Sequence, residues 1–190
     1  NVILVDLIEE PIQSILEQGV LTSRQVIEVD AIVYATGFDA MTGALNKIDI
    51  RGRQGLTLKQ KWSEGPKTYL GIGSAGFPNL FMITGPGSPS VLTNMLPSIE
   101  QNVEWIAGCI GYLEQTKQQS IEATLEAEEA WVGEVNQLAD QTLFPSCNSW
   151  YLGANIPGKP RVFMPYIGFP SYVEKCNQVV DEGYAGFDLR

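Results

Sequence analysis

The strongest constraint on the fold is an apolar run of strand type that ends in a glycine turn and leads into a helical pattern. Residues 80–83 (LFMI) are followed by the turn sequence TGPGSPS at 84–90. From Pro97 to Leu113, apolar residues recur at helical spacing, at positions 99, 103, 106, 110 and 113. This order of strand, glycine loop and helix predicts an α/β chain whose helix start offers free N–H groups to an anionic group.

Apolar runs elsewhere predict further strands and helices. Residues 2–7 (VILVDL) and 31–35 (AIVYA) have the character of buried strands, and the second ends abruptly at Thr36-Gly37. Glycine-rich residues 38–76 predict loops with little regular structure. The other expectations are a hairpin-like pair over 12–21 and 26–29, short strand candidates at 48–50, 56–58 and 69–72, helices over 125–142 and 172–181, an ordered loop over 144–160 and a strand over 161–167.

The charge and the histidine count argue against several classes of function. With 12 basic and 22 acidic residues the formal net charge is −10, so the chain offers no basic surface to nucleic acid or an anionic membrane. The absence of histidine argues against Ser-His-Asp triads, Cys-His nucleophiles and most transition-metal sites. No apolar run reaches the ~20 residues of a spanning helix, and no secretory signal opens the chain. We therefore expect a soluble, cytoplasmic protein without a bound metal.

Two patterns that resemble functional motifs are interpreted structurally. Residues 71–76 (GIGSAG) fit the dinucleotide fingerprint GxGxxG, but Phe77-Pro78-Asn79 follows where the fingerprint requires a helix, so we interpret them as a flexible glycine loop. Four acidic residues lie close together in sequence, and we interpret them as the solvated face of a helix rather than as an acid–base pair: Glu122, Glu126, Glu128 and Glu129. The three separated cysteines, Cys109, Cys147 and Cys176, favour reduced structural thiols.

Three segments resemble a known family of flavoproteins. Residues 30–38 (DAIVYATGF) are similar to the D-x-[IV]-[IV]-x-A-T-G-[FY] segment of flavin monooxygenases with two dinucleotide-binding domains. Residues 77–81 (FPNLF) with 85–90 (GPGSPS), and residues 149–160 (SWYLGANIPGKP), resemble the Baeyer–Villiger monooxygenases of the cyclohexanone and phenylacetone type. The match runs in register across essentially all of the chain. It implies the C-terminal part of such an enzyme.

The resemblance implies an oxidoreductase that uses FAD and NADPH. In that family NADPH reduces FAD, the reduced flavin reacts with O2, and one oxygen atom is inserted into a ketone to give an ester or lactone. The implied fold is α/β, a partial two-dinucleotide-binding-domain (Rossmann-like) flavoprotein. Residues 1–36 are expected to end the NADPH-binding domain, and residues 37–190 to form the C-terminal part of the FAD-binding domain with its substrate and cofactor loops.

The resemblance also assigns candidate site residues. Cofactor binding is implied for Thr36 and Gly37 at the crossing between the two nucleotide domains, and for Gly85, Pro86, Asn94 and Met95 at the flavin. Trp150, with a single indole donor, is expected to bond the NADP ribose or nicotinamide. The substrate pocket is expected to contain Ser88, Pro89, Ser90, Val91 and Leu92. No catalytic or metal-binding residue is expected in this chain, because the family's two glycine fingerprints, its His-containing signature and its catalytic arginine all precede the matched segment.

Two alternatives stay open. In the first, the parent enzyme is an N-hydroxylating or sulfur-oxidising flavin monooxygenase. In the second, the chain is a noncatalytic piece that stands alone. The expected partners are a small ketone, O2 and the N-terminal remainder of the same enzyme, and the chain alone is expected to be inactive. One local departure is Gly168, a single glycine where the family has a Gly-Gly pair, which leaves the conformation of that turn open.

Overall fold

The computed structural model describes the backbone of residues 1–190 and the side chains of all of them except Val91. It divides into two compact units, residues 1–37 and residues 38–190. Both helices and strands are present, so the mixed α/β class expected from the sequence is confirmed. No helix in the described part of the chain is both long and apolar enough to cross a membrane.

Residues 1–37 are built around a three-stranded antiparallel sheet. Strands β1 (Ile12–Leu16), β2 (Gly19–Thr22) and β3 (Val26–Glu28) pair in the order β1-β2-β3. A Cβ atom on Gly19 would lie 2.0 Å from the carbonyl oxygen of Ile27, so the close approach of the strands requires glycine there. The hairpin-like pair expected in this region is therefore confirmed.

The two other strands expected in this unit do not form, and their apolar side chains are exposed. Residues 2–7 and 31–35 pair with no strand among the described residues. Ile3 is 89% exposed and Val33 is 85% exposed. A strand is stable only when a neighbouring strand completes its ladder of hydrogen bonds, so the expectation from the apolar pattern alone is wrong for both runs.

Three long helices form the core of residues 38–190. Helices α2 (Met95–Thr116), α3 (Leu125–Asp140) and α4 (Phe169–Asp181) confirm the three helices expected from apolar spacing, and the first and third begin earlier than expected. Asn94 caps α2 and Thr124 caps α3, each through its side-chain oxygen. Their apolar faces contribute to one buried cluster that includes Trp105, Cys109, Trp131, Val135, Tyr172 and Cys176.

A short helix and a small hairpin complete this unit. Helix α1 (Leu58–Lys61) begins with a capping box between Thr57 and Gln60. Strands β4 (Ile121–Ala123) and β5 (Phe187–Leu189) pair antiparallel. The sequence does not predict this pair, because three residues are too few for an alternating pattern.

Residues 80–83 and 161–167 are not strands, which corrects both expectations. Each run bonds to loops through isolated contacts: the Met82 N–H donates to the Ile72 carbonyl at 2.8 Å, and the Met164 N–H donates to the Tyr151 carbonyl at 3.1 Å. Such single bonds do not continue into a ladder because the opposite partner is an irregular loop. Met82 and residues 163–166 are buried without a strand partner, so burial rather than strand pairing accounts for apolar residues at these positions.

The two loop regions have the irregular structure expected from their turn-forming residues. Residues 38–76 contain the 3-10 turns Leu45–Lys47 and Arg53–Gly55, and residues 144–160 contain Phe144–Ser146 and Trp150–Leu152. The short strand candidates at 48–50, 56–58 and 69–72 are wrong, since only isolated bridges occur there, between Arg51 and Thr57 and between Tyr69 and Gly73. Gly168 adopts a φ of 108° immediately before α4.

Candidate functional site

Residues 85–90 (GPGSPS), here called the first glycine loop, contain five of the predicted cofactor and substrate residues. All five are buried: Gly85, Pro86, Ser88, Pro89 and Ser90. The backbone of this loop is bonded to the protein itself. The Gly87 N–H donates to the Met164 carbonyl at 2.6 Å, and the Ser88 N–H and hydroxyl both donate to the Gly85 carbonyl, at 3.0 and 2.7 Å. The loop therefore has a fixed conformation and few free hydrogen-bonding groups.

Two side chains of the core bond this loop, and a third packs against one of them. The Thr68 hydroxyl donates to the Pro86 carbonyl at 2.5 Å, and the Trp131 indole N–H donates to the Gly87 carbonyl at 3.0 Å. The Trp131 ring stacks on Tyr166 with centroids 4.9 Å apart and planes 6° apart. Because Gly87 has a φ of +90° and a Cβ there would lie 2.8 Å from the Thr68 hydroxyl, only glycine fits this position.

Residues 71–76 pack directly against the first glycine loop. A Cβ on Gly71 would lie 2.5 Å from the backbone nitrogen of Ser88, and a Cβ on Gly85 would lie 2.5 Å from the carbonyl oxygen of Gly71. No helix begins within residues 71–79, so these residues do not form a dinucleotide fingerprint, as expected from the sequence. The segment is buried, with Ile72 and Ser74 both at 0% exposure, so describing it as a flexible glycine loop is wrong.

The chain passes from this loop through a 3-10 turn, Ser90–Leu92, to the start of α2. Leu92 is half-buried, and the side chain of Val91 lies outside the described residues. The Asn94 side chain is exposed and accepts the Leu96 N–H at 3.1 Å, while Met95 is half-buried. The other N–H groups of the first turn have no acceptor within the helix, so this end of a 22-residue helix suits a negatively charged group.

Trp150 lies in the second loop region and is 39% exposed. Its ring stacks on Tyr151 with centroids 4.5 Å apart. Among the residues that the structure describes, none accepts a hydrogen bond from its indole N–H. The side chain is thus packed on one face and has a donor available to a ligand.

Thr36 and Gly37 end the unit of residues 1–37. Both are exposed, and Gly37 has a φ of 78°, in the left-handed region that favours glycine. Their environment in this unit is therefore open to solvent, whereas that of Gly85 is closed.

A cavity of about 570 Å³ lies beside the segment of residues 156–160. Its lining includes Asp39, Thr42, Trp62 and Met164. Lys159 forms an ion pair with Asp39, and the Asn155 amide donates to the Phe38 carbonyl at 2.8 Å. The segment that contains Trp150 is thereby tied to the residues that follow Gly37 in sequence, a contact that the sequence did not predict.

Comparisons with known proteins agree across the whole chain. The chain is 47% identical over 186 residues to a Baeyer–Villiger monooxygenase of Pseudooceanicola batsensis. The matched region covers 97% of this chain and 34% of that protein. The chain is 45% identical over 191 residues to a phenazine N-monooxygenase of Lysobacter antibioticus, with 100% and 35% covered. The solved OTEMO complex with FAD and NADP has a TM-score of 0.88 at 37% identity, with 98% and 34% covered. No protein-family model matches the chain.

The chain is related to the Baeyer–Villiger monooxygenases. The resemblance expected from the three quoted segments is confirmed, and it extends over nearly the whole chain. The chain spans about a third of the length of the curated relatives that it matches.

For one carboxylate of this chain, the environment expected from the sequence is wrong. Glu126 and Glu129 are exposed as expected, but Glu128 is fully buried. It accepts hydrogen bonds from the Ser74 hydroxyl at 2.8 Å and the Ala75 N–H at 2.9 Å, and pairs with Lys61 at 2.6 Å.

The helical spacing contains the signal that identifies this burial. Glu128 lies three residues before Trp131 and seven before Val135, on the apolar face of α3. Glu122 is not on a helix: it belongs to β4, is partly buried, and binds Arg53 at 2.5 Å. The Arg53 guanidinium holds the pKa of the Glu122 carboxyl below its usual value.

The three cysteines of this chain differ in environment. Cys109 and Cys176 are fully buried, and burial raises the pKa of each thiol to about 11. Both stay protonated at neutral pH, which supports their interpretation as structural thiols. Cys147 is exposed in the loop before Trp150.

Proposed function

We propose that this chain is part of an NADPH- and FAD-dependent Baeyer–Villiger monooxygenase that inserts one oxygen atom from O2 into a ketone. The observation that carries the proposal is 47% identity across 97% of the chain to a protein named for that reaction. Residues 1–36 end the NADPH-binding domain, and residues 37–190 form the C-terminal part of a Rossmann-like FAD-binding domain. The N-terminal remainder of the enzyme supplies the phosphate-binding glycine turns that this chain lacks.

The start of α2 fits the negatively charged edge of a reduced flavin. The Asn94 side chain accepts the hydrogen bond of the Leu96 N–H. The backbone N–H groups of Asn94 and Met95 remain open to a ligand at the positive end of the helix dipole. The loop of Gly85 and Pro86 contributes shape rather than hydrogen bonds, because its backbone groups are bonded internally. When bound, FAD supplies the redox chemistry, and these residues hold its position.

The NADP and ketone positions follow from the remaining candidates. Trp150 has an exposed face and a donor without an acceptor among the described residues, which suits a nicotinamide ribose. Of the proposed substrate residues, Leu92 is half-buried and is the best placed to contact a ketone. Ser88, Pro89 and Ser90 are buried, so their part is to support the pocket wall that includes Leu92.

Oxidation of a ring nitrogen is a second candidate function. The phenazine N-monooxygenase is 45% identical over 100% of this chain, only slightly less than the Baeyer–Villiger relative. Both reactions transfer one oxygen atom to an organic substrate, to a ketone in one case and to a nitrogen atom in the other. The Gly85 loop and the start of α2 serve either reaction.

Product analysis on the full-length enzyme tests both candidates. The coding sequence upstream of Asn1 is expected to encode two glycine fingerprints and a His-containing signature. With NADPH and O2, the full-length enzyme should convert cyclic or aryl ketones to esters in a panel that also contains phenazines. Formation of N-oxides alone would move the assignment to the second candidate, and NADPH oxidation without any oxygenated product would contradict both. The 190-residue chain alone should be colourless after dialysis, because it lacks the phosphate-binding turn.

A further inference from the structure

Two residues beside the facing glycine loops have a backbone conformation that side chains rarely adopt. Thr84 has a φ of 52° and Leu70 has a φ of 58°. Thr84 immediately precedes Gly85, and Leu70 immediately precedes Gly71. This left-handed conformation is strained for a non-glycine residue, above all for a β-branched one, and persists only where surrounding contacts hold it.

A continuous chain of hydrogen bonds links these two positions. The Thr84 N–H donates to Asn102 Oδ1 at 2.8 Å, and Asn102 Nδ2 donates to the Tyr172 hydroxyl at 2.9 Å. The Tyr172 hydroxyl in turn donates to the Leu70 carbonyl at 2.8 Å. Asn102 and Tyr172 are both fully buried, so water does not compete for these bonds.

The chemistry of the two side chains fits this arrangement. Asn102 must accept from one partner and donate to the other, which an amide can do and a carboxylate or an alkyl group cannot. Burial raises the pKa of Tyr172 well above its ordinary value, so its hydroxyl keeps the proton that it donates to Leu70. The two loops are also in backbone contact, since a Cβ on Gly85 would lie 2.5 Å from the Gly71 carbonyl.

We propose that Asn102 and Tyr172 are positioning residues that hold Thr84 and Leu70 in their strained conformations. By doing so they fix the Gly85 loop, and through it the start of α2 at the flavin. They act through backbone rather than by touching cofactor or ketone. The flavin part of this proposal rests on the proposed function, while the positioning of the two loops does not.

Hydrogen exchange of the 190-residue chain tests the positioning. Tyr172→Phe removes the linking hydroxyl and keeps the ring. Tyr166→Phe is the matched control, because it removes a neighbouring hydroxyl that bonds Glu134 at 3.1 Å instead. Peptides covering residues 69–73 and 82–88 should exchange about tenfold faster in Tyr172→Phe and remain unchanged in Tyr166→Phe. Equal effects of the two variants, or a response in only one loop, would overturn the proposal.

A rescue variant and the full-length holoenzyme test the consequence for the flavin. Tyr172→Phe should shift the visible spectrum of bound FAD and lower ester formed per NADPH consumed, without changing the KM for NADPH. Adding Thr84→Gly should restore part of that ratio, because glycine adopts a positive φ without being held. An unchanged spectrum and ratio would overturn the flavin part of the proposal. A full-length enzyme without flavin would overturn the proposed function, and the exchange experiment would still decide the loop positioning.

Discussion

Residues 31–35 and 80–83 have the same sequence pattern, an apolar run that ends at a glycine turn, yet residues 31–35 are all exposed, whereas of residues 80–83 only Ile83 is exposed, at 49%. Val33 is 85% exposed and Tyr34 is 70% exposed, whereas Met82 is 4% exposed. Neither run is a strand. Residues 80–83 are held by bonds to other loops of their unit, while residues 31–35 find no such partners among the described residues. The pattern thus identifies residues suited to burial, but not the partner that buries them.

The largest expected effect in the buried region is at Glu128. Glu128→Ala removes the partner of Lys61 and leaves the Ser74 hydroxyl and the Ala75 N–H without an acceptor. Breaking a buried pair in this way should lower the free energy of unfolding by about 3–5 kcal/mol. Urea denaturation of the chain measures it.

Glu129→Ala, at the exposed neighbour, is the control and should change the free energy of unfolding by less than about 0.5 kcal/mol. Equal losses in the two variants would mean that the acidic residues of α3 are a solvated face after all, and that the buried region is less tightly held than its contacts indicate.

Two glycines with similar backbone angles separate packing from strain. Gly71 and Gly55 have φ values of +68° and +77°, but a Cβ would lie 2.5 Å from the Ser88 nitrogen at Gly71 and would meet nothing within 4 Å at Gly55. Gly71→Ala should therefore destabilise the chain by about 2–4 kcal/mol, from strain and overlap together. Gly55→Ala should cost only the strain, about 1 kcal/mol. Thermal unfolding of both variants would refute the close packing of the two glycine loops if their melting temperatures fell equally.

The sequence predicts the helices better than it predicts the strands, for a physical reason. A helix satisfies its backbone within one segment, so apolar spacing alone is enough to locate α2 and α3 to within a few residues. A strand depends on a second segment, and neither the false strand at residues 161–167 nor the true pair β4 and β5 shows that dependence in its own residues.

The candidate site was predicted from resemblance rather than from pattern. Short motifs led to Gly85 and Trp150, but the groups that fix them are scattered along the chain. Thr68 bonds the Pro86 carbonyl and Asn102 bonds the Thr84 N–H, whereas Tyr172 bonds Asn102 and the Leu70 carbonyl, each from a distant segment. Such contacts follow from packing, which local sequence does not contain.

Trp150 is a 39% exposed aromatic residue in the unit of residues 38–190, so it provides a partly exposed case between Met82 and Val33. In the full-length enzyme, Trp150→Ala should loosen NADP and reduce ester formation more than NADPH oxidation, with the difference recovered as hydrogen peroxide. The loss of one hydrogen bond and part of a stacking surface corresponds to about 1–3 kcal/mol, roughly tenfold to hundredfold on the coupled step.

Trp150→Phe keeps most of the contact with Tyr151 and removes the donor, so it separates the hydrogen bond from the packing. A lower melting temperature of Trp150→Ala with an unchanged ratio of ester to consumed NADPH would show that the residue only packs.

The smallest effect is expected at Val33, in the exposed run. Val33→Ser removes an apolar side chain that is already 85% exposed, so almost no buried area is lost when it is shortened. The free energy of unfolding of the chain should change by less than about 0.5 kcal/mol. Leu70→Ala, at 1% exposure, should lower it by about 2–5 kcal/mol, and the same urea titration measures both. The contrast depends on the partners that bury a side chain, not on whether the side chain is apolar. If Val33→Ser already destabilised the 190-residue chain as much as Leu70→Ala does, residues 31–35 would be buried within the chain itself, and the distinction between the two apolar runs would fail.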